Sequence, residues 1–112
     1  MTAYAIAHLA DAEPHEDVCV YMERIQETLD PFGGRFAVHG GAAEVVEGAW
    51  PGAVVVVAFP GMAAARAWYG SEAYRAILPL RTDHIEGDVV LVPGVPDGYD
   101  AGRTAARLRA AL

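Results

Sequence analysis

Apolar residues fall into two rhythms along this chain. Positions 3–9, AYAIAHL, and 35–39, RFAVH, read as strands, as do 53–59, AVVVVAF, and GDVVLVPG at 87–94. Between the first two strands, Val18, Met22, Ile25 and Leu29 recur at helical spacing, with Tyr21 beside them. Glu13-Pro14 opens that helix with Glu16 and Asp17 at its positive dipole end, and Pro31 stops it before a Gly33-Gly34 turn. EVVEG, 44–48, reads as a shorter extended piece, followed by a Trp50-Pro51-Gly52 turn. MAAARAWY after Pro60-Gly61 begins a second helix, and Gly70-Ser71 interrupts it. Ser71 is placed to cap a restart through Tyr74, Ile77 and Leu78, which Pro79 then weakens. A loop, PDGYD, leads to a terminal helix with Ala101, Ala105, Leu108 and Leu112 on one face. The order β-α-β-β-α-β predicts an α+β, ferredoxin-like domain with a four-stranded antiparallel sheet over residues 1–95, and a loop with a short helix over 96–112.

Strand parity adds a constraint. Side chains alternate between the two faces of a sheet, and helices of this arrangement cover only one of them. Val54 and Val56 oppose Val55, Val57 and Phe59, so the third strand is apolar on both sides. The fourth strand repeats this, with Val89 and Leu91 opposite Val90 and Val92. An uncovered face of this kind exceeds the few hundred Å² of apolar patch that monomers usually tolerate. At about 25 cal/mol per Å², covering it is worth many kcal/mol. The Ala-rich stripe of the terminal helix is too thin a cover, so the pattern predicts a homodimer with two sheets packed face to face.

With 112 residues, the chain has room for one core. Its net charge is −7, and all eight basic residues are Arg, three of them in the last ten positions. That balance argues against nucleic acid or an anionic membrane surface as partner. No apolar run reaches the roughly 20 residues of a membrane helix, and the acidic start resembles no export signal, so a cytoplasmic location is expected. A single cysteine, Cys19, excludes an intrachain disulfide; its place beside Val18 and Val20 predicts a buried or half-buried thiol.

Several motifs in the middle of the chain occur together: FGGRF, a Gly-Gly pair, EVVEG, a strand ending in Phe59-Pro60, and AWYGSEAY followed by an Arg. From about Tyr4 to Val95 the sequence resembles the family catalogued as domain of unknown function 1330, within the dimeric α/β-barrel superfamily. The resemblance implies the same topology and the same sheet-to-sheet pairing. It departs where members commonly read Arg-Gly-Gly and this chain has His39-Gly40-Gly41, and where they carry a basic residue after the Trp-Pro turn. It departs again at Pro93, where an acid is common. An anion site built on those positions would be altered here. The superfamily includes cofactor-free oxygenases of aromatic polyketides, lactone isomerases and haem enzymes, so the fold leaves activity open.

Candidate chemistry rests on a few side chains. His8 and His39 lie in or at the end of predicted strands, where an imidazole is able to move a proton near neutral pH. Trp68, Tyr69, Ser71 and Tyr74 form the densest aromatic and polar cluster, and Arg81 follows Tyr74 by seven, on the same helical face if Pro79 does not bend the chain away. Arg fixes a carboxylate with two hydrogen bonds, and Tyr orients a phenol or enolate. Each also has a structural role open to it: a histidine satisfied by a backbone carbonyl, a core Trp, an Arg paired with an acid. Asp83, His84 and Glu86 read as a solvated loop ahead of a strand, and no metal site is expected. Glu44 and Glu47 project to opposite faces, and Gly40-Gly41 lacks the spacing of a nucleotide cradle. The expectation is a homodimer with a small-molecule pocket in each subunit, lined by His39, Trp68, Tyr74 and Arg81. It needs no cofactor and is suited to proton transfer with a His as base. The alternative is an assembly module with no ligand.

Overall fold

A computed structural model describes residues 1–112. Strand β1, Ala3–Leu9, lies inside a four-stranded antiparallel sheet between β3, Ala53–Phe59, and β4, Gly87–Pro93. β2, Arg35–Val38, pairs with the far side of β3, giving the order β2-β3-β1-β4. This is the ferredoxin-like topology that the order of elements predicts.

Helix α1, Glu16–Leu29, starts two residues later than a first turn at Pro14 would place it, because His15 makes the cap. The His15 Nδ1 accepts from the Asp17 backbone N–H at 3.0 Å, satisfying one of the free donors of the first turn. A 3-10 turn, Asp30–Phe32, ends in Gly33 at φ 69°, a left-handed conformation that favours glycine. Gly34 then passes so close to Phe59 that an added Cβ would lie 2.7 Å from its ring. Helices α2, Met62–Tyr69, and α3, Glu72–Thr82, meet at Gly70, and the Ser71 Oγ accepts from the Tyr74 N–H at 3.3 Å. Pro79 does not end α3, which runs on to Thr82. A proline late in a helix forfeits one hydrogen bond, and burial of Ile77 and Arg81 on either side holds the chain in place.

The EVVEG segment is not extended structure. Residues 39–52 form no strand; they are exposed nearly throughout, with Val46 84% accessible. A β-branched run makes a strand only where it finds a partner edge and a surface to pack on, and here it finds neither. Cys19 is exposed on α1 rather than buried, since it lies off the stripe that carries Tyr21, Ile25 and Leu29 into the core.

Both helical layers pack on one side of the sheet. Ala3 and Ala5 are small enough to let α2 approach β1, and Val57, Phe59, Ile25, Leu29, Trp68 and Ile77 fill the core. The other side carries Tyr4, Ile6 and His8 on β1, flanked by Val54, Val56 and Ala58 on β3 and by Val90 and Val92 on β4. Ile6 lies opposite both Val56 and Val90, so these side chains form one continuous apolar surface. No element roofs it: Val90 is 54% and Val92 37% exposed. Helix α4, Ala101–Ala110, has no buried residue and is not packed closely on any other element. The chain is accordingly long for its size, 52 × 35 × 22 Å, with a radius of gyration of 16.4 Å, against roughly 13 Å for a compact domain of this length. No helix is long and apolar enough to cross a membrane.

Candidate functional site

Between the sheet and the helices lies a cavity of about 50 Å³, lined by Ala5, Val57, Trp68 and Val89 and by the polar side chains of Tyr21, Tyr74 and Arg81. Local sequence explains how the three polar groups arrive there. Tyr21 rides on the core-facing stripe of α1 beside Ile25. Tyr74 and Arg81, two turns apart, stay on one face of α3 because the helix continues through Pro79. Trp68 comes in from α2, its Nε1 donating to the Thr28 hydroxyl at 3.1 Å, and its ring lies 4.1 Å from that of Tyr74.

The two phenols share a buried hydrogen bond of 2.8 Å, and the Arg81 guanidinium sits 5.7 Å from the centre of the Tyr21 ring. Tyr74 is 2% and Arg81 7% exposed. Arg24 pairs with Glu27, and Asp17 lies against His15 and His84; no carboxylate lies within 4.0 Å of Arg81. A nearly buried cation thus lines an apolar cavity, with two phenols beside it and no carboxylate in contact. Burial raises the Tyr21 phenol well above the ordinary tyrosine value, and Tyr74 adds to the effect while Arg81 opposes it. For Arg81, burial works to lower the pKa, but the adjacent phenols outweigh it and the net direction is up. At neutral pH the site therefore presents the Arg81 positive charge and the protonated Tyr21 hydroxyl. Such groups in a low-dielectric chamber suit an oxyanion, carboxylate or enolate oxygen.

The raised Tyr21 pKa has a consequence for alkaline stability. Because the folded state holds the phenolic proton more tightly, its contribution is complete below about pH 10 and declines as the unfolded chain begins to ionise above that value. Tyr21→Phe is expected to flatten the loss of stability between pH 10 and 12, and to remove the latest-ionising phase from a 295 nm titration. Denaturant melts across that range check it.

Trp68, Tyr74 and Arg81, expected together from their spacing, meet at the cavity. His39 does not. It stands exposed just past the end of β2, stacked on Phe36 at 4.7 Å, where no strand pairing holds it over the cavity. It borders instead an outer groove of about 360 Å³ with Val18, Cys19 and Met22, and this groove shares Leu9 and Val55 with the inner cavity. His8 is on the opposite face of the sheet, stacked on Trp50 at 4.6 Å and hydrogen-bonded to the Pro51 carbonyl. Tyr21 had no role in the sequence reading beyond its helical stripe. The available signal was its chemistry: a phenol on a core-facing stripe needs a partner once buried.

His84 leaves its loop to meet Asp17, Nε2 to Oδ2 at 2.8 Å, with His15 stacked on it at 3.6 Å and 21° between planes. Their possible ligand atoms lie within 4.8 Å of one another. Parallel rings send their lone pairs side by side instead of toward one point, so a metal would first have to unstack them. As it stands, the cluster ties the start of α1 to the end of α3, next to the cavity: Asp17 is one turn before Tyr21, and His84 is three residues after Arg81.

Solved structures share this architecture at low sequence identity. A protein of unknown function from Rhodopseudomonas palustris, RPA0582, superposes with a TM-score of 0.65 at 13% identity, over 85% of this chain and 83% of that one. Its methylated form gives 0.64 at 15%, over 88% and 84%. An uncharacterized NIPSNAP domain protein from Burkholderia xenovorans gives 0.50 at 12%, over 89% and 100%. These likenesses establish the fold only. No curated protein matches the sequence. The family model described as Domain of unknown function (DUF1330) matches residues 2–95, and the chain belongs to that family.

Proposed function

We propose that this protein is a cytoplasmic homodimer whose subunits each bind a small organic molecule bearing an anionic or enolisable oxygen. The observation that carries the reading is Arg81, a buried cation with no carboxylate within 4.0 Å, lining an apolar cavity with two phenols. The oxygen would be held by Arg81 and Tyr74, with Trp68 as an apolar wall. The inner cavity fits only a few atoms, so the rest of the molecule would extend past Leu9 and Val55 into the outer groove, where His39 stands. From there an imidazole is suited to exchange a proton with a carbon acid whose enolate Arg81 stabilises, a reaction that requires no cofactor.

Native mass spectrometry of freshly purified protein tests occupancy and subunit number together, and a panel of small aromatic and aliphatic carboxylates tests the anion end. Arg81→Leu is expected to weaken carboxylate binding at least ten-fold while retaining the fold. Equal affinity in the two proteins would remove Arg81 from the site. The small inner volume also favours a second reading, an assembly module in which the phenols and Arg81 only complete the core; absence of binding by both proteins would select it.

A further inference from the structure

We infer that the C-terminal segment 95–112 is an exchanged arm, α4 of each subunit docking on the acidic α1 of its partner; this rests on the homodimer proposed above. Ten residues of helix are too few to be stable alone in water, since nucleation is costly and isolated helices below about 12–15 residues are marginal. α4 nevertheless has a built N-terminus, with the Asp100 carboxylate accepting from the Gly102 N–H at 2.6 Å. Its side-chain hydrogen bonds stay within the arm, Thr104 meeting Tyr99 and Arg107. Nothing in its own subunit covers Leu108, which is 66% exposed, or Leu112. A helix so made needs a surface that its own chain does not supply.

Charge selects the surface. α4 carries Arg103, Arg107 and Arg109 with no acid among its ten residues, whereas the first 95 residues hold thirteen acidic against five Arg side chains. α1 displays Glu16, Glu23 and Glu27 on its exposed side, with Asp30 just past its end, and only Glu27 has an Arg partner. The reach also fits. β4 ends at the sheet, where the Gly94 N–H still bonds to Thr2, and the six residues before α4 span up to roughly 20 Å. Facing sheets lie about 10 Å apart, so the linker clears the facing sheet, and the ten residues of α4 carry the arm roughly 15 Å further along the partner's helices.

The test uses the full chain carrying Arg103→Glu, Arg107→Glu and Arg109→Glu, followed on dilution by sedimentation velocity at low and high salt. The dimer dissociation constant is expected to rise at least ten-fold, with most of its salt dependence lost, and Glu23→Arg with Glu27→Arg added to the same chain should restore it. Circular dichroism confirms that the variant is folded. A dimer constant unchanged by the triple substitution overturns the arm and leaves the dimer standing. A wild type that stays monomeric at all concentrations overturns both. Recruitment of the wild type to anionic phosphatidylserine vesicles, with the dimer constant unaffected by the substitutions, assigns the helix to a lipid surface and overturns the exchange.

Discussion

Trp68→Ala is expected to destabilise the protein by about 3–5 kcal/mol, the range for deleting a large aromatic from a packed core. Trp68 is 3% exposed and lies between Phe59, 5.4 Å away, and Tyr74, 4.1 Å away, so its removal opens a void that neither ring is free to fill. The cost has a second part. Its Nε1 donates to the Thr28 hydroxyl, which in turn donates to the Ile25 carbonyl at 2.7 Å, tying α2 to α1. Trp68→Phe keeps most of the packing and loses only that link, for about 1 kcal/mol. Against a total stability of roughly 5–15 kcal/mol, the alanine variant is near the edge of folding and the phenylalanine variant is not. Denaturant midpoints measured at one protein concentration check both, with unchanged slopes expected. An alanine variant within 1 kcal/mol of the wild type would mean that Trp68 lines an open pocket more than it fills a core.

Much of the fold was legible because period-two and period-3.6 patterns alternate cleanly, and each break has a chemical signal. Gly33-Gly34 marks the turn into β2 and Ser71 caps α3 as their residue types require. The failures share a cause. EVVEG has strand propensity but no neighbour with free backbone groups in register, and propensity without pairing does not make a strand. Pro79 signals a break, but its effect depends on tertiary contacts of Ile77 and Arg81 that a local reading does not contain.

The site was legible where it is built on one element. Tyr74 and Arg81 needed only the helical repeat, and Trp68 only its neighbours in sequence. Tyr21 is 53 residues from Tyr74, and nothing local pairs them. His39 was placed at the end of a strand, and the pairing stops one residue short of it, after a bulge that no residue type announces. His84 finds Asp17 across 67 residues, another meeting made by the topology alone.

Val56→Asp is expected to turn the proposed homodimer into a folded monomer, whereas Val57→Asp, one residue on, should not fold. The two positions differ only in the face of β3 that they occupy. Val57 is 4% exposed and packs in the core, where an unpaired carboxylate costs several kcal/mol. Val56 is half-buried at the centre of the outer face, next to Ile6, with no helix above it. A charge there is tolerated by a single subunit but becomes buried and unpaired when a second sheet closes on it. A penalty of about 3–5 kcal/mol at that contact corresponds to a rise of roughly 10²–10³-fold or more in the dissociation constant. Glu44→Lys, on the exposed loop, serves as a control that changes charge without touching the face. Sedimentation equilibrium over a wide concentration range separates the outcomes. If Val56→Asp stays dimeric, the subunits meet by some other surface, and the apolar side of the sheet must be explained without a twin.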